Sequence, residues 1–441
     1  MRFDMYALYR WLTISLGFLL SLLLFKRKIS GKESQSRYIE KKSVISIKRP
    51  AGKLLWIHGA SVGEAQSALI LVNRIIKNFP DVNILVTTGT LTSADLMAKR
   101  LPERAFHQFY PLDNPKWVNR FIRHWKPDTV LWMESELWPN MLHEIKVNNI
   151  PSALVNARLS PKTFKMWKKV PTFTKSMFST FTKILCQTDD DKNKFDILGA
   201  SDTITTDNIK YSSEPLSYDD IKLKEFKRSI KDRRVWLYSS THEGEEEIAH
   251  ELHIKLIKEY PDLLTIIIPR HPDRRDNIKK NCAHYNLHTS YRGSEVNLPK
   301  DNDDIYIVDT LGELGLFYRL SPIAVIGRSL SNDGGGGHNP IEAAQLNCAV
   351  IHGNDIQNLQ QIYDEMNMTG AAIKVDNSNE LYNVLKTLLD NDNVLKKSQN
   401  KALEFANKKT HVIDIVMEEL NPVLCAMRGS EEKDNYAHKY P

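Results

Sequence analysis

Leu54-Leu55-Trp56-Ile57-His58 runs straight into Gly59-Ala60-Ser61-Val62-Gly63-Glu64, and Glu64–Asn78 then carries Leu69, Val72 and Ile76 at helical spacing. An apolar pentapeptide, a turn of small residues and an amphipathic segment make one β-strand–turn–helix unit. The same unit recurs outward. Strands are expected at Asn83–Thr88, Thr129–Met133, Ser152–Asn156 and Ile184–Gln187. After residue 233 a second series follows at Val235–Ser239, Leu264–Pro269, Ile305–Val308, Ile323–Ile326, Ala349–His352 and Ala372–Val375. Strands alternating with helices predict parallel sheets covered on both faces. The fold class is therefore α/β, with two Rossmann-like parallel-sheet domains.

The chain of 441 residues suits two such domains. The expected organisation is an N-terminal anchor with a basic flank (1–32), a first α/β domain (33–212), a linker (213–233), a second α/β domain (234–410), and a C-terminal helix with a charged tail (411–441). Polar residues and Pro215 interrupt the pattern between Tyr211 and Arg233, which is why a linker is placed there. Trp11–Phe25 carries no charge and is followed at once by Lys26, Arg27 and Lys28. No small-residue cleavage signature follows, so a retained anchor is preferred to a cleaved signal peptide. The basic cluster assigns the remainder to the cytoplasmic side. Whether the anchor spans the bilayer or dips into one leaflet stays open.

Cys186, Cys282, Cys348 and Cys425 lie far apart, without a CxxC pair, so neither zinc nor a disulfide framework is expected. The net charge of +6 is modest. Ile145–Thr188 contains Lys146, Arg158, Lys162, Lys165, Lys168, Lys169, Lys175 and Lys183, interleaved with aromatics, and no acidic residue. This suits a phospholipid surface or a phosphorylated head group, with nucleic acid and a plain solvated helix as rivals. The anchor favours the membrane over nucleic acid.

Ligands of parallel α/β folds bind at the carboxyl ends of the strands. In the first domain Glu64 stands at such an end, either as a general base toward a hydroxyl or as a first-turn helix acid. Glu134 is the first polar residue after Thr129–Met133, and Glu136 is expected to cap the following helix. In the second domain Ser240–Glu245, Arg270 with His271, Asp309–Leu314 and the run Gly334–Glu342 all follow strands. Arginine and histidine suit phosphate. Asn339 reads as a helix cap and Pro340 as the first helical residue, with Ile341 and Glu342 after them. Glu342 there can accept ribose hydroxyls. Neither a P-loop nor a GxGxxG turn is present.

Taken together, HGASVGE (58–64), ESELWPN (134–140), NARLS (156–160), DNIK (207–210), THEGEEE (241–247), PRHP (269–272), TLGEL (310–314) and GGHNPIEAA (336–344) resemble the 3-deoxy-D-manno-octulosonic acid (Kdo) transferases of lipopolysaccharide synthesis. The resemblance runs from the anchor to about residue 410. It implies a membrane-anchored inverting glycosyltransferase of GT-B type at the bacterial inner membrane. The donor would be CMP-Kdo, the acceptor a lipid A precursor (tetraacyldisaccharide bisphosphate), and no metal or further cofactor would take part. It further implies that Glu64 is the proton acceptor and that Glu134 and Lys210 stabilise the transition state. Arg270, His271, Leu311, Gly312, Glu313, Asn339, Pro340, Ile341 and Glu342 would then contact CMP. Departures from the family pattern are the glycine-rich loop Ser331–Gly337, Arg328 in place of a common glycine, and Tyr211 in place of phenylalanine. A GT-B transferase using another nucleotide sugar is the alternative reading, and a non-catalytic lipid-binding protein is a third.

Overall fold

The computed structural model describes residues 5–212, 214–294, 297–331 and 335–427; Gly334 and the charged tail expected from Arg428 lie outside them. The chain divides into two compact units, Met1–Ser213 with His411–Pro441, and Glu214–Thr410.

The first unit is built on a seven-stranded sheet. Its strands are β1 (Leu54–His58), β2 (Asn83–Thr88), β3 (Ala105–Phe109), β4 (Thr129–Met133), β5 (Ser152–Ala157), β6 (Lys183–Cys186) and β7 (Thr203–Thr205), in the order β3-β2-β1-β4-β5-β6-β7. All pairings are parallel. Successive side chains point to opposite faces of a strand. Leu55, Ile57, Leu131 and Met133 therefore join Leu69 and Val72 on one side. Leu54, Trp56, Val130 and Trp132 join Phe121, Trp125 and Leu142 on the other. Burial on both faces explains why the strands read as continuous apolar runs. The helix Val412–Leu424 returns to this unit and buries Val416, Met417 and Leu420 in the first of these cores.

β3 was not expected from the sequence, because His107 and Gln108 break its apolar run. Both find partners from afar: His107 in Thr88 and Arg37, and the Gln108 carbonyl oxygen in the indole of Trp125.

The second unit carries β8 (Val235–Thr241), β9 (Leu264–Pro269), β10 (Thr289–Tyr291), β11 (Ile305–Ile307), β12 (Ile323–Ile326), β13 (Ala349–His352) and β14 (Ala372–Lys374). The order is β10-β11-β9-β8-β12-β13-β14, again all parallel. The expected linker contains structure. Asp220–Ile230 is a helix capped by Asp219, with Leu223, Phe226 and Ile230 buried. Phe226 meets Phe317 edge-on at 5.2 Å. Three apolar residues at helical spacing were hidden among lysines and acids.

The N-terminal apolar segment is a bent pair, Met5–Ser15 and Gly17–Ile29, at 54° to one another, and neither helix alone is long and apolar enough to cross a membrane. The segment expected to be the anchor is thus two helices and not one. Exposed Trp11, Phe18, Leu19, Leu23, Phe25 and Ile29 give the pair an apolar surface. The first helix is keyed into the unit beneath it. The Tyr9 hydroxyl donates to Asp113 at 2.9 Å, and Asn114 and Asn140 donate to the carbonyl and hydroxyl of Thr13.

Candidate functional site

In the first unit, Ser61 caps the helix Val62–Asn78 and accepts from the Glu64 amide at 3.3 Å. The Glu64 carboxylate turns back and accepts from the Ala60 amide at 2.7 Å and from the Ser61 hydroxyl. It is buried, and burial pushes its pKa up to about 7. The Ala60 N–H opposes that shift, while the charges of Glu134 and Glu136 add to it. Gly63 does not adopt a left-handed conformation. Its missing side chain matters for another reason: a Cβ there would lie 3.4 Å from the Lys210 ammonium. Lys210 thus sits one residue from the helix turn that carries Glu64.

Glu134 follows β4 in left-handed backbone, at φ 55°. A non-glycine residue there costs about 1–3 kcal/mol, a strain concentrated at functional sites. Its side chain is 2 % exposed. One oxygen accepts from Lys210 at 2.7 Å, and the other lies 3.1 Å from Nε of Arg158. Asn156, also left-handed at φ 58°, donates to Glu134 at 3.4 Å and accepts from the Ile209 amide at 3.0 Å. Asp207 and Asn208 accept from the amides of Asn208 and Lys210, fixing the turn Ile209–Ser212 that presents Lys210. Three segments distant in sequence therefore bring Glu64, Glu134 and Lys210 together.

Glu136 does not cap the next helix as expected. Asp113 does so, accepting from the amides of Asn140 and Met141 at 3.0 Å each. Its pKa is pushed up to about 6 by burial, against these donors. An apolar-floored recess of about 790 Å³ lies nearby in sequence, lined by Pro161, Lys162, Thr163, Lys165, Met166 and Lys169.

In the second unit the motif acids divide. Glu245 is fully buried and accepts from the amides of His242, Arg328, Ser329 and Leu330. Glu246 accepts from Thr241 and from both amino groups of Arg274. The loop after β8, expected to receive an anion, thus turns two of its acids inward to hold other loops. Glu313 is likewise engaged: Arg292 grips it at 2.8 and 2.7 Å and holds its pKa down to about 2. Gly312 and Glu313 line a cavity of about 190 Å³ with Ser217, Tyr218, Asp219, Lys222 and Leu316, while Leu311 is exposed.

A basic cluster remains. His242 and His338 approach Nε2 to Nε2 at 3.1 Å, and the His271 ring stands 5.8 Å from that of His242. Burial pushes the His338 pKa down to about 4, with the charges of His242, Arg270, Arg328 and His271 adding to the effect. The helix Ile341–Gln345 begins one residue later than expected. Asn339 still caps it, accepting from the Ile341 amide and donating to Glu342 at 3.3 Å. Burial raises the Glu342 carboxyl, and Arg270 opposes that. Arg270 thus stands near both Glu342 and His338, His271 near His242 and His338, and Pro340 and Ile341 are buried. Among the described residues no group of three or more His, Cys, Asp or Glu side chains could hold a metal ion.

Sequence reasoning gave no site role to Asn156, Arg158, Asp113, His242 or His338, although the first two fall in NARLS at the end of β5, His242 in THEGEEE and His338 in GGHNPIEAA.

The profile of the 3-deoxy-D-manno-octulosonic-acid transferase family matches residues 32–213. The chain is 37% identical over 413 residues to a 3-deoxy-D-manno-octulosonic acid transferase of Rickettsia bellii, covering 93% of this chain and 97% of the relative. It is 31% identical over 386 residues to the Haemophilus influenzae protein of that name, covering 85% and 88%. A glycosyltransferase structure from Rickettsia africae matches with a TM-score of 0.54 at 13% identity, over 86% of this chain and all of that one. That likeness is one of fold, of the GT-B type.

Proposed function

The chain belongs to the 3-deoxy-D-manno-octulosonic acid transferase family, and from that premise we propose that it moves Kdo from CMP-Kdo to a lipid A precursor, tetraacyldisaccharide bisphosphate, with inversion. The observation that carries this reading is the Glu64 carboxyl, buried and with its pKa pushed up to about 7, beside Glu134 and Lys210. A base poised near neutral pH fits deprotonation of a sugar hydroxyl.

The transfer is a single displacement. The acceptor oxygen gives its proton to Glu64 and bonds to the anomeric carbon of Kdo. The bond from that carbon to the phosphate of CMP breaks, and CMP departs with the electron pair. An inverting reaction needs one base on the face opposite the leaving group. No acid is required, because phosphate leaves readily. Lys210 offsets negative charge on the phosphate or the sugar carboxylate, and Glu134 holds Lys210 in place.

On the donor side, Arg270 and His271 bind the phosphate of CMP. Asn339, Pro340 and Ile341 form the helix start against it, and Glu342 accepts from the ribose hydroxyls. Leu311, Gly312 and Glu313 contact CMP through backbone, since Arg292 already occupies the Glu313 carboxylate. The reaction uses neither a metal nor a cofactor besides the donor. On the acceptor side, the lysine-rimmed recess at 161–169 suits a molecule both acylated and phosphorylated. The bent helix pair and its Lys26–Lys28 flank attach the protein to the cytoplasmic face of an inner membrane.

The test is mass spectrometry of the lipid after incubation of detergent-purified protein with CMP-Kdo and the precursor, beside Glu64→Ala. Kdo increments on the lipid, absent with the variant, are the expected result. No increment from folded protein that binds CMP would overturn the sugar or the acceptor. Full activity of the variant would overturn the assignment of the base.

A further inference from the structure

We propose that Arg158 and Lys210 form a seat for a substrate oxyanion, with Glu134 as the positioning residue that holds the two cations in register. This rests on the Kdo-transfer reading above and adds a binding residue to it. The oxyanion is either a phosphate of the lipid acceptor or the carboxylate of the acidic sugar. The chemistry is shared: a compact anion with oxygens for paired N–H donors.

Four observations carry the seat. First, the two oxygens of Glu134 are divided between the cations, Lys210 at 2.7 Å and Arg158 at 3.1 Å. One buried anion against two cations leaves a positive charge in excess within the triad. Second, both cations reach outward from that carboxylate: the Arg158 side chain is 59 % exposed and that of Lys210 31 %, against 2 % for Glu134. Neutralising Glu134 therefore does not use up the donors of either cation, and the solvent-facing edges of both stay open to a further anion. Third, Arg158 meets Glu134 through Nε. Its terminal amino groups have no carboxylate or carbonyl partner among the described residues, and a guanidinium edge of this kind grips oxyanions in bidentate fashion. Fourth, the backbone is bent to build the site. Glu134 and Asn156 are both left-handed, and Asn156 bonds to Glu134 and to the amide of Ile209 beside Lys210. One residue thus ties together the segments that carry the triad.

The groups that oppose an anion here are Glu64 and Glu136. Burial raises the pKa of both carboxyls, so Glu64 opposes an anion fully only once it is ionised, the form in which it accepts a proton. Three residues beyond Arg158 the chain enters the segment that lines the recess of Lys162, Lys165 and Lys169.

The experiment measures KM for each substrate with the full-length protein and with Arg158→Gln and Arg158→Lys. Losing a charged bidentate contact is expected to raise KM about 10–100-fold for the substrate that carries the anion. Arg158→Lys should recover only part of the loss. If the acceptor KM rises, an acceptor lacking one phosphate distinguishes the source. Its KM should be high with the unaltered protein and no higher with Arg158→Gln. If the CMP-Kdo KM rises alone, the sugar carboxylate is the occupant. Unchanged KM values for both substrates would overturn the proposal, whatever happens to Tm. Should the unaltered protein transfer no Kdo, the function reading fails separately. The seat is then judged by thermal protection with inorganic phosphate, which must protect the unaltered protein and not Arg158→Gln.

Discussion

Both units place glutamates at the carboxyl ends of strands, yet the acids do different work. Glu245 in the second unit has four backbone N–H donors, and Glu313 has a bidentate arginine with Thr310 and Lys222 besides. Glu64 in the first unit has one backbone donor and one hydroxyl. Burial pushes the pKa of Glu64 and of Glu245 upward alike, so a shifted pKa does not separate the proposed base from a staple. The donors do. A carboxylate whose oxygens are filled by the protein has no room for a substrate proton, whereas one with spare lone pairs beside a pinned lysine does. Position at a strand end nominates a residue, and its partners then show whether its oxygens are free for a substrate.

Paired alanine variants put this comparison at greatest risk. Glu64→Ala is expected to lower kcat by about 10²–10⁴-fold, as for loss of a general base, with Tm falling only slightly. Glu245→Ala should do the reverse. It strips four amides, one buried and three partly buried, of their acceptor and is expected to cost about 3–5 kcal/mol by thermal unfolding. A Glu245→Ala protein with unchanged Tm, or a Glu64→Ala protein that unfolds, would erase the distinction.

The pH profile sharpens it. A general base works in its ionised form, and burial keeps Glu64 protonated up to about pH 7. Hence kcat/KM should be flat above about 7 and fall about tenfold per pH unit below it. Glu64→Asp should retain an acid limb of that slope at lower activity. A profile flat down to pH 5 would mean that the free enzyme's essential base is already ionised, which excludes a buried Glu64.

Much of this was legible in the sequence, and for one physical reason. Strands buried on both faces, such as β1 and β4, are continuous apolar runs, and the residue that ends each run marks the ligand-facing end of the sheet. Glu134 could be nominated that way; Glu64, one turn beyond β1, stayed open between a base and a first-turn helix acid, and Lys210 was nominated only through the family resemblance. What escaped depends on partners distant in the chain. β3 was hidden because the partners of His107 and of the Gln108 carbonyl oxygen lie outside its own run. The helix cap that local pattern assigned to Glu136 belongs to Asp113, 27 residues before Asn140 in sequence. Arg158 looked like one basic residue among many until Glu134 was placed beside it. The acids of THEGEEE looked anion-proximal until their donors were counted.

A smaller effect probes the charge of Glu134. Glu134→Gln preserves its shape but leaves Lys210 and Arg158 without their counter-ion. The expected result is a fall in kcat of about 10–100-fold, the scale of one electrostatic contact in the transition state, with Tm within a few degrees. If Glu134→Gln were as inactive as Glu64→Ala, Glu134 would have to act on the substrate directly.

The smallest expected effect lies farthest from the chemistry, where the first helix meets the unit beneath it. Asp113 caps the helix Pro139–Val147, which follows the loop carrying Glu134 and Glu136, and it also accepts the Tyr9 hydroxyl. Tyr9→Phe removes one donor and leaves Asp113 with the two backbone amides that fix its position. The cost should be that of a single hydrogen bond, about 0.5–1.5 kcal/mol, seen as a Tm lowered by a few degrees. Because the cap survives, kcat should not change. A variant with unaltered Tm but reduced kcat would show that the apolar helix pair reports to the Glu134 loop through Asp113. The anchor would then be a working part of the first unit.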